Sequence, residues 1–163
     1  MKLYILIFLG ITINFFCPNK NECEQKIFPL KSNRTDVEKL LGKPKEANCF
    51  ECTYETPNEK IEVSYAIEKC KGSLSGWNVP TDVVLTVTVE PKKRQILTDA
   101  KLDLTGLISF GTDDGTGYYV DSKKGLMYTI SPYNELIRIT YLPLEENNKL
   151  RCQGFPPYNV AGA

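Results

Sequence analysis

Residues 83–90 have the sequence VVLTVTVE, which is the clearest secondary-structure signal in the chain. Valine and leucine alternate there with threonine and glutamate, and this period of two is typical of a β-strand. Pro91 ends the pattern, because proline cannot donate a hydrogen bond to a neighbouring strand. The second face of the stretch is also partly apolar, so we expect this strand to lie in the middle of a sheet.

Alternating patterns elsewhere predict further strands and two hairpins. Gly125 can adopt the positive φ that the turn of the second hairpin needs. Residues 96–110 are ambiguous, and we expect a short strand around Leu102 and Leu104, followed by a loop at 111–115. The clearly predicted strands are 52–56, 61–67, 83–90, 118–120, 126–130 and 136–142, the last with Ile137, Ile139 and Tyr141 on one face.

A short helix is predicted to precede these strands. Thr35 and Glu38 have the spacing of a capping box, so the helix should begin at Thr35. Gly42 and Pro44 should end it after about two turns. The predicted fold class is therefore α+β, with a short N-terminal helix packed on an antiparallel sheet of about five to seven strands, stapled by disulfides.

The N-terminus predicts export. Lys2 is followed by an apolar run that ends at Phe16, too short for a membrane span of about 20 residues but long enough for a signal peptide. No small-x-small cleavage motif precedes Cys17, so an uncleaved anchor is an alternative. Lipidation of Cys17 is another, although Phe16 is larger than lipoprotein signal peptidases accept. Either alternative would associate the protein with a membrane. We expect a location in the periplasm, in the cell envelope or outside the cell.

The domain organisation follows from composition and pattern. Residues 1–16 are the predicted signal peptide, and residues 17–33 form a polar N-terminal arm. Residues 34–152 hold all the periodic segments and are expected to fold as a single α+β domain. Residues 153–163, with Pro156 and Pro157, are expected to be a flexible tail.

Charge and composition exclude several functions. The chain has 20 basic and 20 acidic residues, so no electrostatic footprint favours nucleic acid. It contains no histidine, which removes the usual general base and the commonest metal ligand. We therefore predict no cofactor and no metal.

Six cysteines in an exported chain indicate disulfide bonds. Cys49 and Cys52 have the CxxC spacing of a thiol redox centre, and with Cys17 and Cys23 they could also form a zinc site. Both alternatives are weighed against a structural disulfide, which we favour because the motif follows a helix stop rather than opening a helix.

A second disulfide is expected between Cys70 and Cys152. Each of these residues lies just beyond a predicted strand, so a bond between them would tie the middle of the chain to its end. In the chain-entropy model such a loop stabilises the fold by about 4 to 5 kcal/mol, against about 2 kcal/mol for a Cys49–Cys52 loop.

The loop at 71–81 is the best candidate for a binding site in the sequence. It contains the only tryptophan of the chain, in the order Trp77, Asn78, Val79. One interpretation has Trp77 folding back over the edge of the sheet. The other has it as an exposed aromatic anchor, a residue type enriched in binding hot spots.

Taken together, these features favour an exported or envelope protein-binding module without enzymatic activity. The alternative is a small secreted hydrolase that uses carboxylates. Two acidic groups with raised pKa values in one concave pocket would favour the hydrolase.

Residues 34–44, with the sequence RTDVEKLLGKP, carry a resemblance to known proteins. With the hairpin that follows, this stretch resembles the small lipoprotein of the outer-membrane β-barrel assembly machinery and β-lactamase-inhibitor-like domains, which implies an envelope interaction module without catalysis. Cys70, the GWNVP stretch at 76–80 and the LRC stretch at 150–152 are similar to a group of uncharacterised exported proteins of acidobacterial type.

Overall fold

The predicted strands join into one antiparallel sheet. A computed structural model describes residues 27–70, 76–100 and 102–154. The signal peptide 1–16, Cys17 and Cys23 of the arm, residues 71–75 of the loop and the tail from 155 lie outside the described residues. The elements in chain order are α1 Arg34–Leu41, β1 Glu51–Glu55, β2 Glu59–Tyr65, β3 Val84–Pro91, β4 Gln95–Ile96, α2 Leu97–Ala100, β5 Ile108–Gly111, β6 Gly117–Asp121, β7 Leu126–Ile130, β8 Glu135–Tyr141 and a 3-10 helix Glu145–Leu150.

The sheet has eight strands. Seven of them follow the order β1-β2-β3-β8-β7-β6-β5, and the eighth, β4, pairs with β8 outside this order. This exceeds the predicted five to seven strands, because β4 and β5 are too short to show alternation. The strand predicted around Leu102 and Leu104 is absent. Leu104 instead accepts a hydrogen bond from the amide of Leu107 in a turn, where Gly106 has a φ of 76°.

The N-cap of helix α1 lies two residues before the predicted cap, Thr35. The cap is Asn33, whose side chain accepts a hydrogen bond from the Asp36 amide, while the Asp36 carboxylate accepts one from the Asn33 amide. This satisfies amides of the first turn in the same way as the predicted Thr35 box. The helix ends at Gly42, as predicted.

The helix is not at the N-terminus of the folded body, which corrects the predicted boundary at residue 34. Residues 27–33 precede the helix and pack on the sheet. Ile27 is buried, and the amide of Leu30 donates to the carbonyl of Val84 at the start of β3. The last part of the predicted arm therefore belongs to the fold.

Two clusters of buried side chains form the core around α1, β1, β2 and β3. Val37 of α1 packs with β1, β2 and β3, and a second cluster surrounds Trp77. The first consists of Ile27, Val37, Cys52, Tyr54, Ile61, Val63, Tyr65, Val84, Val87 and Val89, and the second of Ala66, Trp77, Val79 and Leu85.

Two disulfide bonds join described residues. Cys49 is bonded to Cys52, with Cα atoms 5.2 Å apart, and Cys70 is bonded to Cys152, with Cα atoms 5.3 Å apart. These bonds are consistent with an oxidising, exported location. Within the described ranges, none of the helices has the length and apolarity needed to cross a bilayer.

Candidate binding surface

The predicted loop site is largely packed into the fold. Trp77 is only 3 % exposed, and its ring lies beneath the guanidinium of Arg151, 3.8 Å from the ring centroid. Val79 is also buried, whereas Asn78 is exposed and its amide donates to the carbonyl of Leu150. The interpretation of Trp77 as an exposed anchor is therefore wrong. The indole ring packs in the second cluster, where burying its large apolar surface stabilises the fold more than exposing it to water would.

A different surface emerges from the register of the sheet. One row of directly opposed residues crosses seven strands on a single face. The row is buried where α1 covers the sheet, becomes half-buried on β8, β7 and β6, and is exposed at Ser109 on β5. Its members, from β1 to β5, are Tyr54, Ile61, Val89, Ile139, Tyr128, Tyr119 and Ser109.

The half-buried end of this row belongs to a wider apolar area. Alternate side chains of a strand share one face, so the register places five large side chains together on β6, β7 and β8. None of the five is fully buried, whereas three residues on the opposite face of the same strands are buried: Val120, Thr129 and Thr140. We call the five residues the tyrosine shelf: Tyr119, Leu126, Tyr128, Ile139 and Tyr141.

Gly117 shapes the outer end of the shelf. A Cβ atom at this position would lie 3.0 Å from Cε2 of Tyr119, so the Tyr119 ring lies along the strand over the glycine. Burial raises the pKa of the neighbouring Tyr128, while Lys124 lowers it and Asp121 raises it. Tyr128 therefore keeps its hydroxyl protonated at physiological pH.

Strand β5 forms the edge of the sheet beside the shelf. The amide of Thr112 donates to the carbonyl of Thr116 in the β5–β6 turn. Because bonded and non-bonded pairs alternate in an antiparallel ladder, the amide and carbonyl groups of Ser109 and Gly111 point away from β6. β5 contains no charged residue, although edge strands are commonly protected by charges.

A charged groove of about 490 Å³ lies where the β1–β2 hairpin, the end of β3 and the start of β8 meet. Two of its carboxylates are paired with cations: Glu55 with Lys45 at 2.5 Å and Lys92 at 3.0 Å, and Glu135 with Arg94 at 2.9 Å. Hydrogen bonds from the two lysines lower the pKa of Glu55 to about 2. This is the opposite of the raised pKa expected of a general acid, so the groove does not support the hydrolase alternative.

Comparisons with protein-family models, curated proteins and solved structures find no match for this chain. The resemblance carried by residues 34–44 therefore stays a prediction. The function has to be argued from the geometry of the described residues.

The shelf was not predicted as a site, although its signal is present in the sequence. The alternation over 136–142 places Ile137, Ile139 and Tyr141 on one face. The sequence does not show that α1 leaves this part of the strand face uncovered, because the position of the helix depends on tertiary contacts. β5 was missed because it is a strand of only four residues.

Proposed function

We propose that this domain is an exported, non-enzymatic protein-binding module and that the tyrosine shelf is its binding surface. The observation that carries the proposal is the row from Tyr54 to Ser109. Its side chains remain mostly apolar along its length, yet its burial is incomplete on β8, β7 and β6. Apolar surface left open in this way commonly marks an interaction site.

The composition of the shelf favours a protein partner. Tyrosine is enriched in protein interfaces because its ring buries a large area while its hydroxyl remains satisfied by water or by a partner. Small molecules prefer concave pockets that enclose most of their surface. The shelf is a sheet face, which fits an extended partner better.

Strand β5, at the edge of the sheet next to the shelf, indicates that the partner binds in an extended conformation. An extended segment could pair with the outward amide and carbonyl groups of Ser109 and Gly111 and so add a strand beside β5. Alternate side chains of the added strand would then lie next to Ser109 on the shelf face, from where a large side chain can reach across the serine to Tyr119, which is directly opposite Ser109. We therefore propose an uncharged, extended polypeptide segment as the ligand.

The proposed location is the periplasm, the cell envelope or the exterior of the cell. The disulfide bonds and the predicted signal peptide support it. If the signal peptide is retained or Cys17 is lipidated, the same module would act while attached to a membrane.

Selection of random linear peptides displayed on phage tests this function. We expect the full domain to select extended peptides in which apolar residues alternate, and we expect Ser109→Pro to abolish their binding. Proline removes an amide that points outward, so the ladder with β6 should persist. Ser109→Ala is the matched control, because it loses the hydroxyl but keeps the amide.

Two results would contradict the proposal. One is the selection of no peptide above background by a correctly folded domain. The other is equal binding of the selected peptides to Ser109→Pro and Ser109→Ala, which would place the site away from the β5 edge.

A further inference from the structure

The guanidinium of Arg34 lies against the Cys49–Cys52 disulfide. Its Nη1 is 3.1 Å from Sγ of Cys52, and its Nη2 donates to the carbonyl of Cys49 at 2.7 Å. Its Nε donates to Oδ1 of Asp82 at 2.8 Å, and the group also lies over the ring of Tyr65, 4.1 Å from the centroid. Arg34 is thus held by contacts on several sides with a positive charge directed at one sulfur.

The two sulfurs of this disulfide have different surroundings. Cys52 is in β1, has no exposed surface and belongs to the first core cluster. Cys49 is half-buried in the turn before β1. Phe50, between them, is 50 % exposed. Cys49 packs against the first core cluster but keeps part of its surface accessible, whereas Cys52 has none, so Cys49 is the sulfur that an incoming thiolate would attack, beside the exposed side chain of Phe50.

We propose that Cys49–Cys52 is a thiol–disulfide exchange site that oxidises dithiols of other exported proteins. A substrate thiolate attacks Sγ of Cys49, the Cys49–Cys52 bond breaks, and Cys52 leaves as a thiolate beside Arg34. A second thiolate of the substrate then attacks its own sulfur in the mixed disulfide. The substrate gains a disulfide, Cys49 and Cys52 hold the two electrons, and the two substrate protons go to solvent or to the released thiolates.

Arg34 supplies what the leaving sulfur needs. A positive charge within hydrogen-bond distance favours a thiolate over a thiol. A leaving thiol of lower pKa also departs faster in exchange. Asp82 offsets part of the charge of Arg34, but its side chain is 51 % exposed against 22 % for Arg34, so water screens it more. The exchange uses one disulfide per domain and is stoichiometric, so it adds to the proposed binding function without enzymatic turnover. This site is separate from the tyrosine shelf and does not depend on it.

The second disulfide gives an internal comparison. Cys70 is exposed, whereas Cys49 is half-buried. Access alone would therefore make Cys70–Cys152 the faster bond to open. The exchange site predicts the reverse order.

Limited reduction of the full protein with glutathione tests the proposal. Thiols are alkylated at intervals and located by mass spectrometry. We expect Cys49–Cys52 to open faster by about tenfold and glutathione to be found on Cys49. In Cys52→Ser, Cys49 is a free thiol, so oxidised glutathione is added instead; it should form an adduct on Cys49 and release one glutathione, and the adduct should persist because no resolving thiol is left. Faster opening of Cys70–Cys152, or an adduct on Cys52 in the wild type, would overturn the proposal.

Arg34 variants test the role of the charge. Arg34→Gln should slow the opening of Cys49–Cys52 by about threefold or more, while Arg34→Lys should retain most of the rate. In Cys49→Ser, the ultraviolet absorbance of the Cys52 thiolate reports its pKa, which Arg34→Gln should raise. An unchanged rate and pKa in folded Arg34→Gln would overturn the proposal.

If Arg34→Gln does not fold, Asp82→Asn tests instead whether the charge of Arg34 speeds the opening of Cys49–Cys52. It removes the exposed anion and leaves Arg34 beside Cys52, so the rate of opening should stay the same or increase. Slower opening of Cys49–Cys52 in Asp82→Asn would contradict the claim that the charge of Arg34 stabilises the leaving Cys52 thiolate.

Discussion

Tyr119 on β6 lies directly opposite Tyr128 on β7, at the point where the apolar row of the sheet is no longer buried. Further along the same row, Val89 and Ile61 are buried in the core near α1. A single line of side chains thus serves as core at one end and as surface at the other.

Replacing Tyr119 with alanine should weaken binding of a selected peptide by about 2 kcal/mol, or about 30-fold in Kd. The physical reason is the loss of an aromatic contact that the peptide buries. Titration by fluorescence polarisation measures the change. Tyr118→Ala is the control, because Tyr118 neighbours Tyr119 but stacks on Phe110 at 5.0 Å on the opposite face. An equal loss of affinity in the control would count against the shelf.

Gly117→Ala should disturb the shelf without unfolding the protein. The added methyl group meets the far end of the Tyr119 ring, which can rotate away. Alanine in a strand also reduces the entropy of the unfolded chain, so stability should stay level or rise by about 0.5 kcal/mol. We expect weaker peptide binding at unchanged thermal stability. A destabilised variant with full binding would show that Gly117 has only a structural role.

Trp77→Ala should reduce the free energy of unfolding by about 3 to 5 kcal/mol, because a buried ring is replaced by a cavity. Urea denaturation of the variant and the wild type measures the difference. Asn78→Ala is the matched control in the same loop, and its exposed side chain should leave stability nearly unchanged. A loss below about 1 kcal/mol for Trp77→Ala would contradict the observed packing.

Stability should fall at alkaline pH because of Tyr65. Burial raises its pKa, as does the hydrogen bond between its hydroxyl and that of Tyr54 at 2.9 Å. A pKa raised in the folded state means that the stabilisation is complete below the ordinary value of about 10 and is lost as pH rises above it.

Tyr65→Phe should therefore show a shallower loss of stability above pH 10 or so, by the same linkage. It should also be less stable at neutral pH by about 1 to 2 kcal/mol, because the buried hydroxyl of Tyr54 loses its partner. Denaturant unfolding at a series of pH values measures both effects. Tyr133→Phe is the control, since Tyr133 is 80 % exposed; the same change in slope in that variant would rule out the buried pair as the cause.

Much of the fold could be predicted from local pattern. The period of two over 83–90 identified β3, and the Gly125 turn, where φ is 64°, joins β6 to β7 as expected. The helix stop at Gly42 was also visible. These features depend on neighbouring residues, which a sequence displays directly.

The remaining features depend on contacts between distant residues. The preference of the helix for Asn33 over Thr35 as its cap accompanies the pairing of Asn33 with Val83 across the fold. The position of Arg34 beside Cys52 requires α1 to lie against β1, and no local pattern contains that distance. For the same reason, the sequence could not show which apolar strand face is left uncovered.

Amide hydrogen exchange of the domain with and without a selected peptide tests the central claim most directly. We predict that the amides of Ser109 and Gly111 exchange at least about tenfold more slowly in the complex, because a new strand accepts their hydrogen bonds. Amides along β1, at the far edge of the sheet, should not change. Protection confined to β1 or to residues 76–81, with Ser109 and Gly111 exchanging as in the free protein, would contradict the account.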